Sequence, residues 1–399
     1  MKRIFIMAHS MEIGGAERSL LGLLENIDTK EYQIDLFLLR HTGEFMNSIP
    51  KKINLLPKNK YYASLGVPIK SVIKSGNLGI AFGRIYGKVA AKWTIKKLNI
   101  VGDNNIQNEY SHKYTVKHLP IISEEEYDLA ISFMSPHYFV SEKVKAKKYI
   151  AWIHTDYSTF QVDRESELRM WNVYDYIASI SDKVTESFLR TFPELRNKII
   201  LIPNIIPQKL MERDSTVFDV EEEMPNDGSV KLLSIGRFTP PKNFDNIPDI
   251  LKRIIDLGIN VKWYLIGYGP DEELVRKKIK DSKMEKKVIL LGKKANPYPY
   301  IRACDIYVQP SRYEGKCVSV IEAQILHKPV IITNYATSGS QLQDGIDGVI
   351  VPIENEECAK GIVKLINNEN LRQKLIDNTK KQDYVGTDSV DIIYGLVEG

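Results

Sequence analysis

Short apolar runs of strand length alternate along this chain with longer stretches of helical periodicity. Such alternation is typical of βαβ units, so it predicts an α/β protein built on parallel sheets. Because the runs form two sets of six with a gap between them, we predict two sheets. The runs are 3–8, 33–39, 128–133, 148–153, 176–180 and 199–202, then 231–235, 262–266, 288–291, 306–308, 329–332 and 349–351.

The gap between the two sets has the composition of a linker. It contains Pro203, Pro207, the acidic cluster 221–223 and the turn signal 225–228. With 399 residues the chain also has the length of two domains. We therefore predict a first lobe over 1–205, a linker over 206–229, a second lobe over 230–380, and a C-terminal helix over 381–399 that packs back on the first lobe.

Both lobes open with the same sequence of elements. A strand is followed by a glycine-containing loop, Gly14-Gly15 in one lobe and Gly236 in the other, and then by a predicted helix over 16–26 or 243–257. No period of 20 to 50 residues is visible, which favours two Rossmann-like lobes over a repeat protein. Open α/β sheets bind ligands beyond the carboxyl ends of their strands. We therefore expect the lobes to face each other across a ligand-binding cleft.

Residues 51–120 form a basic insertion in the first lobe. They contain thirteen Lys or Arg against only Asp103 and Glu109, with Tyr61, Tyr62, Tyr86 and Trp93 interleaved. One interpretation is a solvated insertion of helices and loops, since charge runs are usually solvated. The other is attraction to an anionic membrane surface, where each Lys or Arg contributes roughly 1 kcal/mol. The formal net charge of +4 is too small for a dedicated nucleic-acid binder, so no nucleic-acid partner is expected.

The cysteine pattern and the apolar runs bear on the compartment. Cys304, Cys317 and Cys358 are odd in number and form no C-x-x-C pair, which argues against a disulfide framework or a zinc knuckle. No run approaches the roughly 18 apolar residues of a membrane-spanning helix. We expect a cytoplasmic protein, either soluble or peripheral on the inner face of the cell membrane.

The segment 314–322 carries two glutamates at a predicted loop-to-helix junction. If the helix begins near Val318, Glu314 lies in the loop and Glu322 near the second turn, so both carboxylates would border one pocket. The backbone amides at a helix start bind anions, and the flanking acids could accept hydrogen bonds from hydroxyls. Sugar plus phosphate fits that spacing. The ordinary alternative is that Glu322 forms an ion pair with a lysine such as Lys328.

A second loop, 236–244, follows a predicted strand directly. Arg237 offers a planar fork for phosphate oxygens and Lys242 a point charge, while Gly236 lets the backbone turn closely. The pair predicts a polyphosphate ligand, and the alternative is a β-to-α loop with two surface cations. The Gly267-Tyr268-Gly269 loop is weaker evidence, because a tight turn explains it more simply than direct ligand contact does.

Taken in order, Gly14-Gly15-Ala16-Glu17, Gly236-Arg237 with Lys242, Gly267-Tyr268-Gly269-Pro270, and Glu314 with Glu322 resemble the retaining glycosyltransferases of family 4, which have the GT-B fold. The resemblance covers nearly the whole chain and is strongest over 230–352. Residues 314–341 are similar to versions found in bacterial capsule and surface-polysaccharide enzymes.

The resemblance implies roles in donor binding. Arg237 and Lys242 would bind the donor diphosphate, Glu322 the ribose hydroxyls, and Glu314 the transferred sugar. Lys294, next to Lys293, would lie near the base. The backbone of Gly315, Lys316, Cys317 and Val318 would contact sugar hydroxyls and a phosphate.

Two further roles fall in the first lobe. His154 would contact the sugar or the acceptor, and Gly15 would let the backbone approach the donor. At 316 and 317 the family commonly has an aromatic and a small residue, whereas this chain has Lys316-Cys317. This departure bears on which sugar is bound.

These residues imply a reaction that needs no cofactor. A UDP-sugar or another nucleoside diphosphate sugar would be the co-substrate. A glycan or a lipid-linked oligosaccharide would be the acceptor. The chain has no Asp-x-Asp triplet to hold a metal-bound diphosphate, so Arg237 and Lys242 would serve in place of the metal. Glu314, Arg237, Lys242 and His154 are the predicted catalytic residues. The alternatives are a non-catalytic GT-B-like module that binds a nucleotide sugar or glycan, and a sugar-nucleotide epimerase of the same architecture.

Overall fold

The computed structural model describes residues 1–314, 317–384, 386 and 388–399. The chain divides into two compact units. The first comprises Met1–Pro207 together with Gly386–Gly399, and the second comprises Gln208–Val385. Each unit is an α/β structure with one parallel sheet, which confirms the predicted fold class of two Rossmann-like lobes.

The first unit is built on a seven-stranded parallel sheet with the order β3-β2-β1-β4-β5-β6-β7. The order reverses beside β1, as it does in doubly wound folds. β1 is buried along its last five residues and pairs with both β2 and β4. The strands are β1 (Lys2–Ala8), β2 (Tyr32–Leu38), β3 (Asn54–Leu55), β4 (Glu126–Ser132), β5 (Lys145–Ile153), β6 (Tyr176–Ser179) and β7 (Ile199–Leu201).

Helices cover this first sheet, and capping residues mark where several of them begin. Asp163 and Ser181 accept hydrogen bonds from the backbone of the helices that follow them, as N-cap residues do. The helices are α1 (Gly15–Asn26), α2 (Lys60–Ala63), α3 (Ile69–Lys74), α4 (Leu78–Lys97), α5 (Ile106–Thr115), α6 (Tyr138–Lys143), α7 (Arg164–Asn172) and α8 (Asp182–Thr191).

The basic insertion 51–120 folds mainly as helices α2 to α5. α4 lies closely against α5 because two glycines, Gly83 and Gly87, face it. A Cβ added at either glycine would lie 2.6 Å from a backbone oxygen of α5, that of Tyr114 or Tyr110. The glycine face of α4 is therefore its buried face, which leaves its larger side chains on other faces.

The second unit repeats the architecture with a six-stranded parallel sheet of order β10-β9-β8-β11-β12-β13. Its strands are β8 (Val230–Ile235), β9 (Val261–Ile266), β10 (Val288–Gly292), β11 (Ile306–Gln309), β12 (Val330–Thr333) and β13 (Val349–Val351). Its helices are α9 (Gln208–Asp214), α10 (Ile247–Asp256), α11 (Glu272–Asp281), α12 (Tyr298–Ala303), α13 (Val318–Ile325), α14 (Ser338–Gln341), α15 (Asn355–Ile366) and α16 (Glu369–Thr379). Short 3₁₀ turns over Pro240–Lys242 and Phe244–Asn246 precede α10.

The last helix, α17 (Asp388–Glu398), belongs to the first unit. The Tyr394 ring stacks on Tyr32 with 4.5 Å between ring centroids. The ammonium groups of Lys2 and Lys148 donate to the backbone oxygens of Val397 and Leu396 at 3.1 Å. Lysines commonly satisfy the last carbonyls of a helix in this way, so these contacts fix the C-terminal end of α17.

The segment predicted as a linker, 206–229, is more ordered than its composition suggested. From Gln208 onward it belongs to the second unit and contains α9. Glu223, from its acidic cluster, pairs with Lys294 at 2.6 Å and accepts a hydrogen bond from the Tyr300 hydroxyl. Across the described part of the chain, no helix has both the length and the apolar composition needed to cross a membrane.

Candidate active site

Lys242 and Glu314 meet at the carboxyl end of the second sheet. They follow the neighbouring strands β8 and β11, so their loops lie side by side. The Lys242 ammonium lies 2.5 Å from a Glu314 carboxylate oxygen and 3.9 Å from the Cys317 sulfur. Burial acts to lower the pKa of Lys242, but the Cys317 and Glu314 groups outweigh it, so that the pKa is raised. The ammonium is therefore charged at neutral pH.

A set of contacts holds these two loops together. Arg312 forms a bidentate ion pair with Asp245 at 2.9 and 3.0 Å, and its backbone N–H donates to the Pro241 oxygen at 2.7 Å. Asn243, in the left-handed region with φ 62°, donates from its amide to the Pro310 oxygen at 2.8 Å. Planar arginine pairs of this kind fix geometry as well as charge. The position of Lys242 against Glu314 thus follows from the loops themselves.

Glycines let a third loop pack against the first. A Cβ on Gly267 would lie 1.9 Å from the Gly236 oxygen, and one on Gly269 would lie 2.3 Å from the Phe238 oxygen. Gly267 also has φ +146°, which disfavours any other residue. These glycines serve close backbone packing, which agrees with the simpler of the two interpretations of the Gly267-Tyr268-Gly269 loop.

The start of α13 is held by a glutamine that the sequence did not single out. The buried Gln341 accepts from the Cys317 N–H at 2.6 Å and donates to the Cys317 C=O at 3.3 Å. Thr337 donates to the Glu314 C=O at 2.6 Å. The Cys317 amide, predicted to meet the donor, is therefore already engaged within the protein. Val318 begins α13, so its amide is among the first-turn donors that the helix itself does not use.

Glu314 and Glu322 have different surroundings. Glu314, 9% exposed, also accepts from the Ser311 hydroxyl at 2.7 Å. Glu322, 1% exposed, accepts from the Tyr298 hydroxyl at 3.2 Å. Lys328, the lysine suggested as an ion-pair partner of Glu322, donates to the Cys304 backbone oxygen at 2.9 Å.

The remaining predicted donor-site cations differ in how they are held. Arg237 follows β8 directly and is exposed, and within the described ranges its guanidinium has no ion-pair or hydrogen-bond partner. Lys294, expected near the base, pairs with Glu223 and lies over the Tyr300 ring at 5.1 Å. Gly315 and Lys316 lie outside the described residues.

His154 and the first glycine-rich loop come together in the first unit. A cavity of about 240 Å³ is lined by His9, Ala16, Glu17, Trp152 and His154, among others. His154 stacks on Trp152 with an interplanar angle of 4°, and burial lowers the pKa of His154 to about 4. Burial also raises the pKa of Glu17. Gly15, the first residue of α1, is exposed beside these residues in the chain, with nothing within 4 Å of a Cβ placed on it.

A larger cavity of about 730 Å³ lies at the opposite, amino end of the second sheet, where Lys231, Asp305, Lys328 and Arg372 are among its lining residues. Its cations already donate to backbone carbonyls, as Lys328 does to Cys304 and Arg372 does to Leu365. It is therefore distinct from the predicted donor site. Among the residues that the structure describes, no group of three or more His, Cys, Asp or Glu could hold a metal ion.

Sequence and structure comparisons give the class of protein first. The crystal structure of Anabaena Alr3699/HepE in complex with UDP and glucose superposes over 100% of both chains with a TM-score of 0.66 and 15% identity. At that identity the likeness shows the fold, which is GT-B. The sheet orders of both units are those of this fold class.

The family match lies in the second unit. Residues 218–382 match the model of the glycosyl transferases group 1. An uncharacterised glycosyltransferase of Methanocaldococcus jannaschii is 28% identical over 65% of this chain and 72% of its own length. The capsular polysaccharide biosynthesis glycosyltransferase CapM of Staphylococcus aureus is 26% identical over 54% of this chain and 58% of its own length. Residues 218–382 therefore match the group 1 glycosyl transferases, and the chain is similar to glycosyltransferases over 54% to 65% of its length.

Proposed function

We propose that the protein is a retaining hexosyltransferase of family 4 that acts in bacterial surface polysaccharide synthesis. In this proposal it moves a sugar from a nucleoside diphosphate sugar, such as a UDP-sugar, to a lipid-linked glycan at the cytoplasmic face of the membrane. The observation that carries the proposal is the contact of Lys242 with Glu314, beside the exposed Arg237, at the carboxyl end of the second sheet. The family match and the resemblance to CapM support it.

The chemistry required is stabilisation of a leaving group. Breaking the bond between sugar and phosphate develops negative charge on the diphosphate, and preorganised cations lower the energy of that transition state. Arg237 provides a fork of donors and Lys242 a charged ammonium. The first amides of α13, beginning at Val318, add a helix terminus that favours an anion. These groups would act without a metal ion.

The carboxylates and the first unit have separate roles in this proposal. Glu314 orients the transferred sugar by accepting from its hydroxyls, and Glu322 accepts from the ribose. His154, in the first unit, contacts the sugar or the acceptor. Because its pKa is lowered to about 4, His154 would act as a neutral imidazole at pH 7.

Substitution of Lys242 tests the proposal. We expect Lys242→Ala to lower donor turnover about 100- to 1,000-fold, as loss of one transition-state donor does in other enzymes. The assay combines purified protein with a panel of nucleotide sugars and acceptors, and follows products by mass spectrometry and the anomeric configuration by NMR. Lys252→Ala is the matched control, since Lys252 is an exposed lysine on α10. Its turnover should equal that of the unchanged protein.

Lys242→Met separates a chemical effect from a folding effect. Removing the ammonium leaves the buried Glu314 without its cation, so the thermal midpoint of each variant is measured as well. Unchanged turnover in folded Lys242→Ala and Lys242→Met proteins would refute the proposal. Nucleotide binding without turnover by the unchanged protein would favour a non-catalytic binder, and an altered sugar nucleotide formed without an acceptor would favour an epimerase.

A further inference from the structure

α4 exposes an unusual number of large apolar side chains. Six of them lie along it with between 46% and 65% of each residue exposed to solvent: Leu78, Phe82, Ile85, Tyr86, Val89 and Trp93. We call these six residues the α4 ridge. Single exposed apolar residues are normal on protein surfaces, whereas a contiguous apolar patch usually marks a binding surface.

The spacing of the ridge places its members on one side of the helix. Successive members are one, three or four residues apart, which gives a stripe about 100° wide on an α-helix. α4 has 20 residues, so the helix that carries the ridge is about 30 Å long. The rings also touch each other, since Phe82 and Tyr86 stack with 6.2 Å between centroids. The ridge is thus a continuous surface.

The packing of α4 against α5 keeps the ridge exposed to solvent. Gly83 and Gly87 form the face that meets α5, and a Cβ there would collide with backbone atoms at 2.6 Å. Larger residues cannot replace these glycines at the α5 contact without separating the helices. The ridge cannot rotate into the core while this contact is kept.

The charge around the ridge has one sign. Between Glu44 and Asp103 the sequence contains no acidic residue. Lys88, Lys92 and Lys96 are exposed on α4, and Lys97 lies over the Trp93 ring at 5.1 Å. The preceding helix, α3, adds further exposed lysines. An apolar stripe that includes three aromatic rings and is bordered by lysines matches the polarity profile at the interface of a membrane that contains anionic lipids.

We propose that the α4 ridge inserts into the interfacial layer of a membrane that contains anionic lipids, with the neighbouring lysines at the headgroup phosphates. A second copy of this chain is a poorer occupant, because pairing two ridges would oppose lysines with lysines, and the sequence between Glu44 and Asp103 offers no acidic residue to compensate. The inference goes beyond the proposed transfer reaction and does not depend on it.

Trp93 makes the inference directly measurable. It is 63% exposed, whereas the other three tryptophans, Trp152, Trp171 and Trp263, are at most 1% exposed. Quenching and environment-dependent shifts in tryptophan emission will therefore report mainly on the ridge. We expect the emission to move to shorter wavelength with vesicles of phosphatidylcholine containing 30% phosphatidylglycerol, and brominated lipid to quench it. Pure phosphatidylcholine vesicles should give a much smaller change.

Two double variants test the apolar and charged parts separately by vesicle co-sedimentation. Phe82→Ser with Trp93→Ser should weaken partitioning at least 10-fold. Lys88→Gln with Lys92→Gln should weaken it about 25-fold at low salt, at about 5-fold for each lysine near an anionic surface, and the loss should shrink in 0.5 M salt. The matched control combines Val217→Ser with Lys277→Gln, since both residues are exposed in the second unit, and should partition like the unchanged protein.

The outcomes are separable from those for the transfer reaction. The ridge variants should keep their thermal midpoint and their turnover on a soluble acceptor, whereas Lys242→Ala should lose turnover and keep vesicle binding. The inference is overturned if the unchanged protein ignores the anionic vesicles, or if the Phe82→Ser and Trp93→Ser protein binds them equally well. It is also overturned if the ridge variants abolish a concentration-dependent dimer in sedimentation velocity, which would assign the ridge to a second copy.

Discussion

Gln341 offers the sharpest test of how the candidate active site is built. Its side chain makes two hydrogen bonds to one residue, accepting from the Cys317 N–H and donating to the Cys317 C=O. Gln341 is 8% exposed and Cys317 is 3% exposed. Gln341→Ala would leave two buried backbone groups without these partners. Each such group costs about 1 to 3 kcal/mol, so we expect a loss of about 2 to 4 kcal/mol in the free energy of unfolding if water enters the vacated space.

Gln341→Met separates hydrogen bonding from volume. Methionine has nearly the same size but cannot form either bond, so we expect it to destabilise the protein about as much as alanine does. For a unit of this size, 1 kcal/mol shifts the thermal midpoint by about 2 to 4 °C, which predicts a fall of roughly 5 to 15 °C. Gln343→Ala, at an exposed glutamine two residues on, is the control and should leave the midpoint unchanged.

The same variants should lower turnover. Glu314 and Cys317 lie at the two ends of one short segment, and a displacement of about 1 Å in a catalytic group can cost about 100-fold in rate. We therefore expect kcat to fall while the stability loss remains too small to unfold the protein at 25 °C. Midpoints within 3 °C of the unchanged protein, together with unchanged kcat in both Gln341 variants, would refute this account of the site.

Two further predictions concern stability. Burial lowers the pKa of His9 and His154 to about 4 and of His112 to about 3, so the folded state favours neutral imidazoles, and stability that is full above pH 6.5 should fall as the pH drops towards 4. Between pH 7 and pH 5 each histidine should lower the free energy of unfolding by about 2 kcal/mol. Glu167 partly offsets this loss, because burial raises its pKa to about 7. Urea unfolding at pH 7, 6 and 5 measures the change in stability, and a flat profile would contradict the prediction. Gly83→Ala should cost about 1 to 3 kcal/mol by crowding α5. Gly395→Ala, with open space around its Cβ, should be neutral or slightly stabilising, and equal midpoints for these two glycine variants would count against the packing described for α4.

The sequence was sufficient to predict twelve strands, but not the two-residue β3 or the direct contact of Lys242 with Glu314. Buried parallel strands are short apolar runs, and all twelve predicted runs overlap observed strands. Lys242 and Glu314 are 72 residues apart in the chain. They meet because β8 and β11 are neighbours in the sheet, and residues that follow neighbouring parallel strands share one edge.

Other parts of the site depend on tertiary contacts that leave no local pattern. The bonds from Gln341 to Cys317 require a particular side-chain rotamer and a particular approach of two loops. The pairing of Glu223 with Lys294 joins a segment predicted as a linker to the second sheet. α4 departs from the usual rule that large apolar side chains are buried. Its buried face is the glycine face, and its large apolar side chains are exposed. Hydrophobic periodicity alone would assign those side chains to the core.

The placement of α17 affects how the chain can fold during synthesis. Its contacts with Tyr32 and Lys148 complete the first unit, yet it follows the whole second unit, Gln208–Val385, in sequence. At about 5 to 20 residues per second, a ribosome needs roughly 10 to 35 s to add that intervening segment. The nascent first unit must wait this long with the surface beneath α17 uncovered, so chaperone dependence should be greatest in that interval.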